Sequence, residues 1–371
     1  MNMVRNTVAL AAAYTLVMTL PNVLPIFVVV LMNDLALAEE QAGRLLTAEL
    51  VMLAATPVLL SPLAPRVSVR AVLLMGSSAA LLAHLLSIAT QDPDVLLALR
   101  MFAGFSVGLI FLGVGRVSAL MPDPVRLYGI LNSTGVLVAI LLFMISPRII
   151  EVHGLAGAYG MLVAITATAV PLVALFRWSD RPVSKTRQPL PATARQLVLL
   201  VAGLTLAVGP YMAMYSFSEP IAIGVGLTSR RFVLFLAVVQ GLCLLATASA
   251  SWCGLRFGMV RPLLFSLCGC ALFGVIALNT TVIWIFLSAF LLTNMCFLFS
   301  VSYQLGVGAV LDESGRVASL AGGVFYMGAA VSPFLGGFLI TRFGYSSLAF
   351  ALICGCVLGF IAFARVLYGV R

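Results

Sequence analysis

The sequence predicts an all-α, polytopic membrane protein with twelve transmembrane helices in two six-helix halves. Of its 371 residues, 62% are hydrophobic and 9% are charged, and the mean hydropathy is +1.16. A soluble domain carries about 25% charged residues. Apolar runs recur along the chain at the length of roughly 20 residues that a helix needs to cross a bilayer. One long polar stretch, Arg177 to Gln196, lies near the middle.

The breaks between apolar runs contain charged residues, proline or glycine, and they set the predicted boundaries. Arg5 precedes the first run, which exceeds the core of a signal peptide and is therefore predicted to be a membrane helix. The predicted spans are 8–32, 43–62, 70–89, 95–120, 127–147 and 157–177 in the first half, and 197–217, 231–252, 261–280, 283–308, 317–340 and 346–367 in the second.

The polar stretch between the halves has three prolines, five basic residues and no apolar periodicity, which is typical of a linker. The predicted domains are therefore an N-terminal half, 1–177, a cytoplasmic linker, 178–196, and a C-terminal half, 197–371. Adding 190 to a residue number relates identical residues at equivalent loops or helix ends, as for Arg66 and Arg256 or Gly154 and Gly344. With the matched helix counts, these identities suggest two parallel repeats, an arrangement typical of some secondary transporters.

Most of the 21 basic residues fall in loops on one side of the predicted membrane. Because cytoplasmic loops are enriched in Lys and Arg, both termini are predicted to be cytoplasmic. The short loops favour a bacterial inner membrane. The net charge of +9 is spread over these loops and not gathered on one face, so a nucleic-acid partner is not expected.

The chemistry-bearing residues form no enzyme motif. The seven cysteines lie in or beside apolar runs without metal-ligand spacing, and the sequence contains no HExxH, no P-loop and no Ser/His/Asp set. We therefore expect no enzyme activity, cofactor or metal, and no direct coupling to ATP.

Three stretches are similar to motifs of the major facilitator superfamily (MFS) of transporters, and the resemblance covers nearly the whole chain. They are "LALRMFAGFSVG" (Leu97 to Gly108), "WCGLRFGMVRP" (Trp252 to Pro262) and "DESGRVASLAGGVFYMGAAVSPFLGG" (Asp312 to Gly337). The second resembles the family's loop motif, whose residues here are Gly254, Arg256 and Gly258, with Arg66 in the first copy. The resemblance implies a secondary transporter that works by alternating access.

Several positions depart from the family pattern. Ala103 replaces the usual glutamine of the fourth helix, and Pro65 and Leu255 replace the usual aspartates of the two loops. The charge relay attributed to those loops is therefore incomplete. As an alternative to a role in that relay, Arg66 and Arg256 only mark the cytoplasmic side. The antiporter signature of the fifth helix is missing, so the direction of transport stays open.

Glu49 lies inside the second predicted span and Arg100 inside the fourth, each roughly 8 Å below the outer boundary. Intramembrane charges are costly and usually face a wet interior with a partner. We therefore expect Glu49 and Arg100 to face the central cavity, to interact directly or through water, and to serve proton coupling. The alternatives are a structural carboxylate for Glu49 and a structural role for Arg100.

Further polar residues are candidates on the helices that line the cavity of the resembled family. The candidates for substrate contact are Tyr14, Thr19, Asn22, Asn132, Tyr211, Tyr215, Asn294, Tyr303 and Gln304, and those for an outer-mouth charge are Asp34 and Glu219. Each of the former has an interhelical hydrogen bond as its alternative role, and each acid a solvated helix-end charge. His84, on the third span, is interpreted as a packing residue.

The sequence thus predicts a monomeric secondary transporter that moves a small organic solute, neutral, amphiphilic or singly anionic, with H⁺ as the possible coupling ion. Uptake, efflux and uncoupled facilitation stay open. The alternative function is a membrane sensor or assembly protein that uses the same helical scaffold without transport.

Overall fold

The computed structural model describes residues 3–37, 39–177, 192–312 and 314–368, and these form helices joined by short loops. The helices are α1 (Met3–Leu35), α2 (Glu39–Leu60), α3 (Val69–Ile88), α4 (Pro93–Ala119), α5 (Pro124–Ala174), α6 (Ala194–Ser216), α7 (Ser218–Gly224), α8 (Ser229–Cys253), α9 (Val260–Asn279), α10 (Ile283–Leu311), α11 (Arg316–Phe343) and α12 (Ser346–Tyr368), with a 3-10 turn at Ser61–Leu63.

This arrangement confirms the all-α prediction and its twelve spans. Ten segments of the described chain have the length and hydropathy of a membrane crossing, and α1 and α11 are the first and eleventh predicted spans. Most of the predicted linker lies outside the described residues. The short helix α7 was not predicted, and it begins beside Glu219, which was expected to close the seventh span.

Helix α5 contains the fifth and sixth predicted spans, which meet at Gly154. The φ of Gly154 is 53°, a conformation that glycine adopts without steric cost. A Cβ atom there would overlap the carboxylate of Asp34, at the end of α1. The Asp34 Oδ2 atom accepts a hydrogen bond from the backbone N–H of Leu155 at 2.5 Å. The kink and this cap therefore start the second span of α5.

Local capping explains several other helix starts. Asp92 accepts hydrogen bonds from the N–H groups of Asp94 and Val95, and Pro93 follows it at the first position of α4. Thr193 and Gln196 form a capping box at the start of α6. Each cap satisfies N–H groups that have no acceptor within the helix.

The contacts between Cα atoms divide the chain into two compact units. Unit 1 contains Met1–Met121, Leu131–Leu190 and Glu313–Tyr326, and unit 2 contains Pro122–Ile130, Pro191–Asp312 and Met327–Arg371. The start of α11 therefore packs with helices of the N-terminal half, and the start of α5 with helices of the C-terminal half.

Candidate functional site: a buried arginine–glutamate pair

Close packing of α4 against two neighbours places Arg100 inside unit 1. A Cβ atom on Gly104 would overlap the backbone carbonyl of Glu49 on α2, and one on Gly108 would lie 2.5 Å from the Cβ of Thr56. On α3, a Cβ atom at Gly76 would lie 2.6 Å from the carbonyl oxygen of Ser106. Because these positions are glycine, the helix backbones approach closely. Arg100, one turn before Gly104, is thereby brought beside Glu49.

Arg100 and Glu49 form a buried ion pair. The Arg100 Nη1 atom donates to the Glu49 Oε2 atom at 3.0 Å. The exposed fractions are 0% for Arg100 and 2% for Glu49. Desolvating two charges is costly, and their attraction offsets that cost only when the remaining hydrogen-bonding groups also find partners.

Three further residues surround the guanidinium. The Ser87 Oγ atom lies 2.5 Å from the Arg100 Nη2 atom, and the His84 Nδ1 atom lies 3.4 Å from the same nitrogen. Ser87 and His84 share one face of α3 because they are three residues apart. The ring of Tyr159, from the second span of α5, lies 4.7 Å from the guanidinium carbon, within the range of a cation–π interaction.

The chemistry of arginine assigns the state of His84. A guanidinium only donates hydrogen bonds, so the Nδ1 atom of His84 must be the acceptor and the ring proton lies on Nε2. His84 in this arrangement is neutral. The Arg100 Nε atom and the Tyr159 hydroxyl are buried without a hydrogen-bond partner among the described residues. The cluster therefore pairs one cation with one anion and keeps two polar groups available.

The structure brings together the two charges that the sequence singled out. Their recorded partners come from α3 and α5 of unit 1, and neither side chain is open to solvent. The expectation that they line a central cavity stays a prediction. The interpretation of His84 as a packing residue was incomplete, because its Nδ1 atom faces Arg100. The three-residue spacing of His84 and Ser87 puts them on one face of α3, but it does not identify the helix that this face contacts.

The substrate candidates of unit 1 are mostly engaged in hydrogen bonds. The Tyr14 hydroxyl donates to the Asn132 Oδ1 atom at 3.1 Å, joining α1 to α5. The Thr19 hydroxyl donates to the carbonyl of Thr15, within its own helix. The Asn22 Nδ2 atom is buried without a partner among the described residues. Asn22 is therefore the candidate with a spare donor.

The candidates of unit 2 centre on an aromatic stack between α6 and α10. The rings of Tyr211 and Phe297 stack with centroids 3.5 Å apart, and Tyr215 stacks on Tyr211 at 6.1 Å. The Tyr211 hydroxyl donates to the Asn294 Oδ1 atom at 2.7 Å, and the Asn294 amide donates to the carbonyl of Phe290. This cluster combines flat apolar faces with an oriented amide.

Tyr303 and Gln304 lie on a different part of α10. The Tyr303 hydroxyl donates to the carbonyl of Gly254 at 2.9 Å, which ties α10 to the loop between α8 and α9. The Gln304 Nε2 atom donates to the Ser300 hydroxyl, while its Oε1 atom is buried without a partner in the part of the chain described. The Tyr303 hydroxyl is thus engaged in a contact with that loop, and Gln304 has a spare acceptor.

Of the two acids predicted at the outer mouth, the structure describes the side chain of Asp34. Asp34 is the cap of Leu155, as described above, so part of its hydrogen-bonding capacity serves the fold. The side chain of Glu219 lies outside the described part of the chain.

The loop-motif residues show how both loops are held without their usual aspartates. In the loop between α8 and α9, Gly254 and Gly258 have φ values of 47° and 69°, and the N–H of Leu255 donates to the Asp123 Oδ2 atom at 3.0 Å. The guanidinium of Arg256 lies 5.1 Å from the ring of Trp252.

In the loop between α2 and α3, the Arg66 side chain is exposed. There Arg116, near the end of α4, donates to the carbonyls of Ala64 and Val67. Groups of three or more potential metal ligands are missing among the residues that the structure describes.

Comparisons with known proteins agree with this architecture. The human organic anion transporter MFSD10 (TETRAN) aligns with a TM-score of 0.80 and 13% identity, covering 98% of this chain and 100% of that one. A point variant of the E. coli fucose:proton symporter FucP aligns with a TM-score of 0.75 and 15% identity, covering 97% and 98%. The proton:xylose symporter XylE, bound to 6-bromo-6-deoxy-D-glucose, aligns with a TM-score of 0.73 and 13% identity, covering 99% and 96%.

At these identities the structural likeness establishes the fold. No curated protein matches the chain in sequence. The family model of the Major Facilitator Superfamily matches residues 8–311, most of the chain. The chain therefore belongs to the Major Facilitator Superfamily.

Proposed function

We propose that this protein is a proton-coupled secondary transporter that moves a small organic solute across the membrane by alternating access. The observation that carries the coupling is the ion pair of Glu49 and Arg100, buried between α2 and α4. Ionisable groups inside membrane segments commonly belong to proton or substrate pathways. Family membership supports the transport itself.

Proton uptake by Glu49 would remove the negative partner of Arg100. The attraction between the two side chains would then fall, while Ser87 and His84 would keep their contacts with the guanidinium. Because α2 and α4 approach closely at Gly104, a change in the pair acts directly on the contact between these two helices. Glu49 is in this proposal the proton carrier, and Arg100 is the group that senses its charge.

For the solute, we propose a neutral or singly anionic molecule with apolar faces and hydroxyl groups. Tyr211, Phe297 and Asn294 place stacked rings beside an oriented amide, the chemistry that such a solute would need if the cluster opens to it. Asn22 and Asn132, on α1 and α5, are the corresponding polar candidates of unit 1. The names of two structural neighbours, a fucose symporter and a xylose symporter, support testing sugars first, and that of MFSD10 supports organic anions next.

The transport proposal is tested in proteoliposomes with an imposed pH gradient. Sugars and organic anions are screened first by thermal shift, and uptake of each hit is measured with and without the gradient. We expect the gradient to drive accumulation in the wild type, and Glu49→Gln to abolish the response to the gradient while binding persists. Glu151→Gln, which changes an exposed glutamate, is the matched control. Gradient-driven uptake by Glu49→Gln at the wild-type level would refute the role of Glu49.

We also propose a bacterial inner-membrane location with both termini in the cytoplasm, following the distribution of basic residues. Labelling of single cysteines with a membrane-impermeant maleimide tests this orientation. Cysteines placed at Ser68 and Thr90, at opposite ends of α3, give a matched pair. Labelling of Thr90→Cys from outside, with Ser68→Cys protected, is expected; the reverse would overturn the topology.

A further inference from the structure

A groove of about 500 Å³ lies on unit 2 between α8, α9 and α10. Its walls are apolar over most of their length and include Phe265 on α9 together with Met295 and Phe299 on α10. Ser249 lies on the α8 side. Arg261 is the one charged residue in the lining that the structure describes. The groove thus combines an apolar lining with a single cationic side chain among the described residues.

The cation lies at the end of the groove where the membrane boundary is expected. Arg261 is the second residue of α9, directly after the loop that begins at Gly254. Aromatic side chains lie near the same level, since Trp252 is at the end of α8 and Phe257 is in the loop that follows. Their exposed fractions are 65% and 55%, as is typical of residues at a membrane interface. Phe265, 75% exposed, follows one turn deeper along α9. The apolar part of the groove therefore extends from the interface into the hydrocarbon layer.

Two features make this end of the groove attractive to an anion. The Arg261 side chain is exposed and has no carboxylate partner among the described residues. The start of α9 has no side-chain cap, since its N-cap residue is Met259. The helix dipole and the N–H groups of the first turn, which the Met259 side chain does not cap, add to the positive potential of the arginine at this point.

We propose that the groove binds an anionic phospholipid, with the phosphate against Arg261 and an acyl chain along Phe265, Met295 and Phe299. Basic pockets between membrane helices on the cytoplasmic side recognise anionic headgroups in this way. The lipid would come from the leaflet beside the loop between α8 and α9, which the basic residues predict to be cytoplasmic.

A second groove provides an internal comparison. It has a volume of about 510 Å³ and lies along the two spans of α5 in unit 1, between Leu142 and Ile165. His153 is its titratable lining residue, and its described lining contains no arginine or lysine. A groove of similar volume without a fixed cation can hold an acyl chain but has no means of selecting an anionic headgroup.

Native mass spectrometry of the full-length protein in detergent tests the proposal. Phosphatidylglycerol and phosphatidylethanolamine with identical acyl chains are the probes, and the retained lipid is counted for each variant. We expect the wild type to retain phosphatidylglycerol preferentially. Arg261→Gln should lower the retention of phosphatidylglycerol about fivefold. This change is equivalent to about 1 kcal/mol, the contribution of one basic residue near an anionic surface.

The controls separate headgroup recognition from general charge and from folding. Arg70 is the second residue of α3, also exposed, and does not line the groove, so Arg70→Gln should retain phosphatidylglycerol as the wild type does. Arg261→Lys should preserve most of the retention. Ser249→Trp, which fills the groove, should reduce retention with Arg261 intact.

Equal losses in Arg70→Gln and Arg261→Gln, or no loss in Arg261→Gln, would overturn the proposal. Retention of the two lipids to the same extent by the wild type would also overturn it.

Discussion

Replacing Glu49 by alanine tests whether the buried pair supports the fold as well as the proposed coupling. The change leaves the Arg100 guanidinium buried with neutral partners, Ser87 at 2.5 Å and His84 at 3.4 Å. Breaking a buried pair by removing one partner costs about 3–5 kcal/mol. At about 2 °C per kcal/mol for a chain of this size, Glu49→Ala should lower the melting temperature by about 6–10 °C.

The coupling between the two charges is measured by a double-mutant cycle. The purified protein, wild type and variants, is melted in one detergent and followed by tryptophan fluorescence. Arg100→Met combined with Glu49→Ala removes both charges, so the double variant should melt above Glu49→Ala alone. Glu151→Ala, at an exposed position, should shift the melting temperature by about 1 °C or less. Additive losses from the two single changes would show that the charges do not depend on each other and would refute the reasoning.

Two further predictions concern packing and capping. Gly104→Ala places a Cβ against the carbonyl of Glu49 and should destabilise the protein by about 1–3 kcal/mol, whereas Gly209→Ala, whose Cβ meets nothing within 4 Å, should not lower the melting temperature. Equal melting of the two variants would contradict the packing of α2 on α4. Asp34→Ala removes the cap of Leu155 and should cost about 1 kcal/mol, seen as faster hydrogen exchange of the Leu155 amide, while Asn33→Ala at the exposed neighbouring position should leave that exchange unchanged.

The helices and the common depth of the two charges could be predicted because both depend on properties local to one segment. Apolar length sets the spans, and the depth of Glu49 and Arg100 in their spans brings the two residues to one level. The short helix α7 could not be predicted, because a proline beside Glu219 signals only that α6 ends. The sequence predicts a break between the fifth and sixth spans, and the structure has a kink there, where Gly154 has a positive φ and the Asp34 carboxylate caps Leu155.

The rest of the site could not be predicted, because it depends on which helices are neighbours and on how each is rotated. Helix α3 is apolar around most of its circumference, so its pattern does not reveal that His84 and Ser87 face α4. Tyr159 reaches Arg100 from the second span of α5, a neighbour that sequence spacing does not identify. Small residues in the sequence indicate close contacts between helices, and here these residues are Gly104 and Gly108 of the fourth-helix motif.

The departures from the family's loop motif have a structural counterpart in this chain. Leu255 stands where the motif usually has aspartate, and its backbone N–H is bound by a carboxylate from elsewhere, that of Asp123 before α5. Asp34 binds the N–H of Leu155 in the same manner, and the preceding glycines, Gly154 and Gly254, have nearly the same backbone angles.

In each case an aspartate at the end of one segment caps a Gly-Leu corner of another. A Cβ on either glycine would overlap that carboxylate, so the corner requires glycine for its space as well as for its positive φ. A missing loop charge therefore does not leave the loop between α8 and α9 unsupported, because Asp123 supplies the carboxylate from across the unit.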